Sequence, residues 1–290
     1  LTTNIRKVAN EGTLNLSDGS NILVGESFVS SGEVSLNNAT LRITDTVSVT
    51  GNGSIHASEL NKSSSFQTSN LMISGGGLDF SNGINTVNVN EDMTVSGGSS
   101  MVQGVLLVGN TLAMTGEGKL TLQPVGDTSS YLGDVSMSGK SVFTVGNTVN
   151  PSTQTVRAES VSIEGNASLV LNNINLNING GLGNLTMTGN SDADQPSSLV
   201  TFNNVRLEGN IAVSAANAVE LSNSVYVTGN LDFLDASSSL TLSGQGDISF
   251  QGQVELGAGH KLVVQSPTGL KAAGLNMTAG AEAAVYGSIG

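Results

Sequence analysis

The chain has 290 residues, of which 38% are hydrophobic and only 11% charged, and its net charge is −13. Nucleic acid is not an expected partner, because phosphate binding needs clustered lysine and arginine, and the ten such residues here are scattered. Ordinary disorder is also excluded, since it needs high charge and few apolar residues. No apolar run approaches the roughly 18 residues of a membrane helix, so we expect no membrane span in this segment.

A five-residue phrase recurs along the chain: an apolar residue, any residue, an apolar residue, a polar residue and glycine. Its copies end, in chain order, at Gly51, Gly75, Gly97, Gly116, Gly139, Gly165, Gly189, Gly209, Gly229 and Gly244. This alternation predicts a β-strand with one buried face. The copies are about 22 residues apart, which is too short for a separate domain and typical of one coil of a solenoid.

Each coil is predicted to hold more than one strand. After several of the glycines a second short alternation follows, such as Leu78 with Phe80 and Leu120 with Leu122. Several coils then end in an asparagine pair or a similar segment, at Leu36–Asn38, Leu171–Asn173, Phe202–Asn204 and Leu221–Asn223. Asparagine tolerates left-handed backbone, and we expect these side chains to hydrogen-bond one another from coil to coil.

These patterns predict an all-β fold, a single-stranded parallel β-helix (β-solenoid) of about 22 residues per coil and roughly 13 coils. We expect residues 1–290 to form one continuous domain that is a piece of a longer exported protein. The four prolines lie outside the strand phrases. Because proline cannot donate to a sheet, protruding loops are predicted near 123–134, 147–157, 190–198 and 265–270, and the stretch HASELNKSSSFQTSN at 56–70 is predicted to form another.

Residues for catalysis or metal binding are few. The histidines, His56 and His260, lie about nine coils apart and cannot share a site, so we predict no catalytic residues and no cofactor. Asp192 and Asp194 are candidate calcium ligands in a proline loop, although further oxygen ligands at calcium-loop spacing are missing and a solvated loop is the alternative. Glu164 and Glu208 precede glycines of the phrase, two coils apart, where an outward polar face is expected.

The outward position three residues before each glycine offers candidates for partner binding. Arg206 and Tyr226 occupy this position in consecutive copies, so we expect them to be neighbours on adjacent coils. Arginine and tyrosine are enriched at binding hot spots. Packing between neighbouring strands is the alternative interpretation of the pair.

The segments LAMTGEGKLTLQ and LTLSGQGDISF resemble the degenerate strand repeats of autotransporter (type V secreted) passenger domains. LNNATLRI and LNNINLNI are similar to the asparagine corners of those passengers and of filamentous-haemagglutinin-like exoproteins. The resemblance implies a right-handed β-helix that is extracellular, at the bacterial outer-membrane surface. It also implies a part in adhesion, aggregation or biofilm formation.

The leading hypothesis is therefore a secreted or cell-surface β-solenoid, not an enzyme, that acts as an adhesin, an aggregation or biofilm factor, or a structural stalk. Its expected partners are a host or bacterial surface protein or glycan, or further copies of itself. One alternative is a self-assembling extracellular fibre subunit. A second is a β-helix polysaccharide lyase or hydrolase, which would need paired acidic residues on adjacent coils.

Overall fold

A computed structural model describes residues 2–57, 62–125, 129–147, 154–189 and 197–290. These residues form β-strands, turns and a single turn of 3-10 helix at Asn179–Gly181. None of the described helical segments is long and apolar enough to cross a membrane. The chain divides into two compact units, here called unit 1 (Leu1–Asp134 with Ser141–Phe143) and unit 2 (Val135–Lys140 with Thr144–Gly290).

Unit 1 is built from short strands that follow one another in groups of three. In chain order they are β1 (Thr2–Ile5), β2 (Val8–Asn10), β3 (Thr13–Leu16), β4 (Asn21–Val24), β5 (Phe28–Ser30), β6 (Glu33–Leu36), β7 (Thr40–Ile43), β8 (Thr46–Val49), β9 (Ser54–His56), β10 (Ser65–Thr68), β11 (Asn70–Ile73), β12 (Gly77–Val89), β13 (Met93–Val95), β14 (Ser99–Val108), β15 (Thr111–Met114), β16 (Lys119–Gln123) and β17 (Ser130–Tyr131). The pairings between them are parallel, and each joins equivalent strands of successive coils. The first strands of the coils form the column β1–β4–β7–β10–β12–β14–β17, the second strands β2–β5–β8–β11–β13–β15, and the third strands β3–β6–β9–β12–β14–β16.

The remaining strands continue the same plan in unit 2. They are β18 (Asp134–Met137), β19 (Val142–Gly146), β20 (Gln154–Ala158), β21 (Ser160–Glu164), β22 (Ser168–Ile178), β23 (Asn184–Thr188), β24 (Ser197–Glu208), β25 (Asn210–Ser214), β26 (Ala216–Leu221), β27 (Val225–Val227), β28 (Leu231–Phe233), β29 (Ser239–Gly244), β30 (Asp247–Leu256), β31 (Lys261–Val264), β32 (Gly269–Met277), β33 (Glu282–Val285) and β34 (Ser288–Ile289). Here the first strands stack as β20–β22–β24–β27–β30–β32–β34, the second as β18–β21–β23–β25–β28–β30–β32, and the third as β19–β22–β24–β26–β29–β31–β33. The first residues of β18 and β19, Asp134 and Val142, belong to unit 1. Long strands such as β22 and β24 bend through a corner and belong to two columns.

The core of each unit consists of apolar side chains stacked on equivalent side chains of the next coil. In unit 1, Val47, Leu71 and Met93 are in register on successive coils, and all three are fully buried. Phe66 and Phe80 are also fully buried, with ring centroids 6.4 Å apart. The predicted β-solenoid is thus confirmed, with about 12 turns where roughly 13 were expected.

The asparagine corners form hydrogen-bonded ladders, as the sequence predicts. In unit 2, Asn203 Nδ2 donates to Asn172 Oδ1 at 3.3 Å, and Asn223 Nδ2 donates to Asn203 Oδ1 at 2.7 Å. A parallel bond of 3.0 Å joins Asn204 Nδ2 to Asn173 Oδ1. Asn173 and Asn204 have left-handed backbone, with φ of 49° and 54°. The ladders therefore provide hydrogen-bond partners for the asparagine side-chain amides. They do so at turns whose left-handed backbone would strain most other residues.

The ten copies of the phrase do not form one column, and in this respect the sequence interpretation was wrong. The first seven lie in second strands, but VRLEG and VYVTG lie in the first strands β24 and β27, and LTLSG lies in the third strand β29. Leu185 accordingly pairs with Ile211, while Val205 pairs with Val225. The phrase encodes a strand followed by a corner, and such a strand fits any of the three positions in a coil.

The predicted loops are shorter than expected wherever the structure describes them. Strand β10 lies inside 56–70, β17 inside 123–134, and β20 overlaps 147–157. The predictions near 190–198 and 265–270 each overlap the start of a strand, β24 and β32. In β10 the cause is the alternation of buried Phe66 and Thr68 with outward residues, which the serine-rich composition obscures. Parts of the first four loops, at 58–61, 126–128, 148–153 and 190–196, lie outside the described residues. The single continuous domain stays a prediction.

We expect Phe66→Ala to lower the free energy of unfolding by about 3–5 kcal/mol, because it leaves a cavity between coils. Met72 is 52% exposed on a strand of the same coil and serves as the control. Met72→Ala should change the free energy of unfolding by less than about 0.5 kcal/mol. Denaturant unfolding followed by circular dichroism measures both, and equal effects would contradict the inward placement of Phe66.

Substitution of Asn204 separates the backbone role of the ladder from its hydrogen bond. In Asn204→Ala, alanine must adopt left-handed backbone, which is unfavourable for it, and the amide contact is also lost. In Asn204→Gly only the amide contact is lost, because glycine adopts this backbone freely. We expect the alanine variant to be less stable than the glycine variant by about 1 kcal/mol. The same unfolding measurement tests this, and a more stable alanine variant would rule out the strained turn.

Candidate functional site

A cluster of polar side chains lies on the outward side of three neighbouring first strands in unit 2. Strand β24 buries Val205 and Leu207, so alternation turns Arg206 and Glu208 outward. Arg206 is in register with Asn175 of β22 on one side and Tyr226 of β27 on the other. Glu208 is in register with Asn177 of β22. We call Asn175, Asn177, Arg206, Glu208 and Tyr226 the arginine cluster.

Arg206 and Tyr226 are in direct contact, which confirms that they are neighbours on adjacent coils. The guanidinium carbon of Arg206 lies 4.8 Å from the centroid of the Tyr226 ring. At this distance the cation is attracted by the negative face of the ring. The contact holds one side of the guanidinium plane against a rigid aromatic surface.

Glu208 fixes Arg206 from a second direction. Arg206 Nε donates to Glu208 Oε1 at 3.1 Å, and Asn175 Nδ2 donates to the same oxygen at 3.4 Å. Asn177 Nδ2 donates to Oε2. Partial burial raises the pKa of Glu208, but hydrogen bonds from Asn177, Arg206 and Asn175 outweigh it and hold the pKa below its ordinary value. The carboxylate is therefore ionised over the usual pH range.

The geometry leaves the outer edge of Arg206 available for a ligand. Within the described part of the chain, Arg206 bonds through Nε and contacts Tyr226, and its terminal nitrogens donate no hydrogen bond. Its side chain is 48% exposed. A guanidinium held in this way presents a planar pair of N–H donors, which matches a carboxylate or a similar anion.

Other candidate residues are not brought together. Glu164 and Glu208 do not share a column: Glu164 pairs with Thr188 in second strands, whereas Glu208 is in a first strand. This corrects the expectation that the two acids lie two coils apart on one face. The cause is that copies of the five-residue phrase occupy different strand positions within the coils. Asp192 and Asp194, the candidate calcium ligands, lie outside the described residues.

The two histidines lie in different units and have separate structural contacts. In unit 1, His56 Nε2 lies 3.3 Å from Glu33 Oε1. In unit 2, His260 Nδ1 accepts a hydrogen bond of 2.8 Å from the Gly257 N–H, and its ring stacks on Phe233 at 5.2 Å. Among the described residues, no three histidine, aspartate or glutamate side chains could together hold a metal ion.

Sequence reasoning missed Asn175, Asn177 and a pair of acids. The resemblance uses LNNINLNI only as an asparagine corner, although the alternation in NINLNI places Asn175 and Asn177 outward. Asp232 and Glu255 belong to neighbouring second strands, β28 and β30. Burial raises the pKa of Asp232, and the charge of Glu255 adds to the increase. The alternation in LDF and VEL could have revealed this pair once the register was known.

No family model, no curated protein and no solved structure matches the chain.

The depressed pKa of Glu208 predicts a pH-dependent contribution to stability. Because the folded-state pKa is lowered, the contribution is present above the ordinary glutamate pKa of about 4.3 and is lost as the pH falls through the folded-state value. We expect Glu208→Gln to lower the free energy of unfolding by about 1 kcal/mol at neutral pH. The difference from the wild type should shrink in acid.

Denaturant unfolding of both proteins across the acid range measures this difference. The control is Glu164→Gln, since Glu164 is exposed and has no hydrogen-bond or ion-pair partner among the residues that the structure describes. A gap between wild type and Glu208→Gln that stays constant down to strongly acidic pH would contradict the assignment.

Proposed function

We propose that this chain is part of an exported bacterial β-solenoid that binds a partner through its lateral face, as an adhesin or an aggregation factor, without chemical turnover. The observation that carries the proposal is the arginine cluster. Arg206 is held by Glu208 and Tyr226, yet its terminal nitrogens make no bond in the described structure. Because the side chain is 48% exposed, these nitrogens are accessible to a ligand.

The cluster has the physical character of a binding hot spot. Arginine and tyrosine provide large contact areas and directional donors, and both are enriched where single residues dominate affinity. Because the strands and the Glu208 bonds already fix the guanidinium, little side-chain entropy is lost when a ligand binds. Binding therefore requires no rearrangement of the sheet.

A surface location is part of the same proposal. The resemblance of LAMTGEGKLTLQ and LNNINLNI to exported β-helix proteins supports it. The chain has no cysteine, and its stacked backbone hydrogen bonds and buried apolar columns provide stability without disulfides. Net negative charge favours solubility outside the cell by keeping copies apart.

Binding of the fluorescently labelled chain to bacterial and animal cells tests the proposal. We expect saturable retention on at least one cell type, reduced about tenfold by the double substitution Arg206→Ala and Tyr226→Ala, which removes charge-assisted and aromatic contacts. The double variant Arg42→Ala and Gln67→Ala is the matched control, because it removes an arginine and its in-register neighbour from first strands of unit 1. The proposal fails if no cell type retains the chain or if both variants bind like wild type.

A further inference from the structure

We propose that the outward side chains of strands β20, β22, β24, β27, β30 and β32, here called the first-strand face, bind an acidic polysaccharide that carries uronate carboxylates. This inference rests on the proposed binding function and adds the chemical class of the ligand. It depends on three cations, Arg157, Arg206 and Lys271, and on the uncharged residues between them.

The register places the three cations along one face of unit 2. Arg157 pairs with Asn177, which pairs with Glu208, so Arg157 lies two coils before Arg206. From Arg206 the row continues through Tyr226 and Ser249 to Lys271, three coils further on. At about 4.8 Å per coil, the backbone positions of the cations are separated along the stacking direction by roughly 10 Å and 14 Å, and Arg157 is also offset by two residues, or about 7 Å, along the strand. One small anion cannot reach all three, but an extended polymer can.

All three cations have free donors. Arg157 and Lys271 are exposed, and neither has a hydrogen-bond or ion-pair partner among the described residues. Arg206 has its two terminal nitrogens free. Acids are also present: Glu208 already accepts three hydrogen bonds, the exposed Asp247 lies two residues before Ser249 in β30, and the exposed Glu159 directly follows β20. The first-strand segments thus carry three cations against two acids, Glu208 and Asp247, in a chain whose net charge is −13.

The residues between the cations favour a sugar polymer over other polyanions. Thr155 and Ser249 lie in the row of Arg206 and offer hydroxyl groups, whereas the amide of Asn175 already donates to Thr155 and Glu208. Hydroxyl groups can exchange hydrogen bonds with the hydroxyls of sugars that separate successive carboxylates. A single-stranded nucleic acid would instead need several exposed aromatic rings for base stacking, and the one tyrosine in the row is already in contact with a guanidinium.

Titration of the full chain with hexagalacturonate, by calorimetry at low and at moderate salt, tests the inference. We expect saturable binding that weakens as salt rises, because the contacts are ionic. Arg206→Gln should reduce affinity about tenfold or more, since it removes a charge-assisted contact. The control is Arg42→Gln, which removes an exposed arginine from a first strand of unit 1 and should bind like wild type.

Two further probes decide the ligand class. Neutral dextran should not bind, and single-stranded DNA should bind more weakly than hexagalacturonate. The inference is overturned if hexagalacturonate does not bind, if Arg206→Gln and Arg42→Gln behave alike, or if DNA binds as tightly as the oligouronate. Retention on cells without oligouronate binding would overturn the ligand class alone, whereas loss of both would remove the proposed function as well.

Discussion

Parallel pairing of each strand with the equivalent strand of the next coil determines the environment of the strand side chains that the structure describes. Because the backbone is held in register, a residue has as its nearest neighbours the equivalent residues of the coils before and after it, about 4.8 Å away. Buried Val47, Leu71 and Met93 form one such column, and the amides of Asn172, Asn203 and Asn223 form another. Apolar burial and polar satisfaction therefore result from the same constraint.

The arginine cluster shows how the same constraint builds a site on a surface. An isolated surface ion pair contributes little, since two long side chains must be ordered in water. Here the Arg206–Glu208 pair is surrounded by Asn175, Asn177 and Tyr226, each placed by register, so Glu208 and Arg206 have several partners at once. Because the sheet already holds these residues in register, less conformational entropy is lost when the side chains of Arg206 and Glu208 become ordered. A regular scaffold thus produces a defined constellation from residues far apart in sequence.

The strands and the asparagine turns could be predicted from the sequence because both depend on local chemistry. Alternation identifies a strand, and the left-handed turns at Asn173 and Asn204 suit asparagine. The assignment of strands to faces could not be predicted, since Leu185 and Val205 begin similar phrases yet occupy different columns. Only the three-dimensional register shows that Glu208 and Glu164 lie in different columns and that Asn177 lies beside Glu208. The contact between Arg206 and Tyr226 was predictable because both copies lie in first strands.

The stacking of like strands also has a kinetic consequence. Each strand finds its partner in the preceding coil, roughly one repeat back in the sequence, so the contacts that close the structure are short compared with the length of the chain. Nearest-neighbour repeat architectures of this kind gain stability by adding one unit to an existing end. A finished coil presents an ordered row of hydrogen-bonding groups and apolar columns, and the next segment can assemble on it as a template. Coil-by-coil growth from one nucleus is therefore the natural folding route.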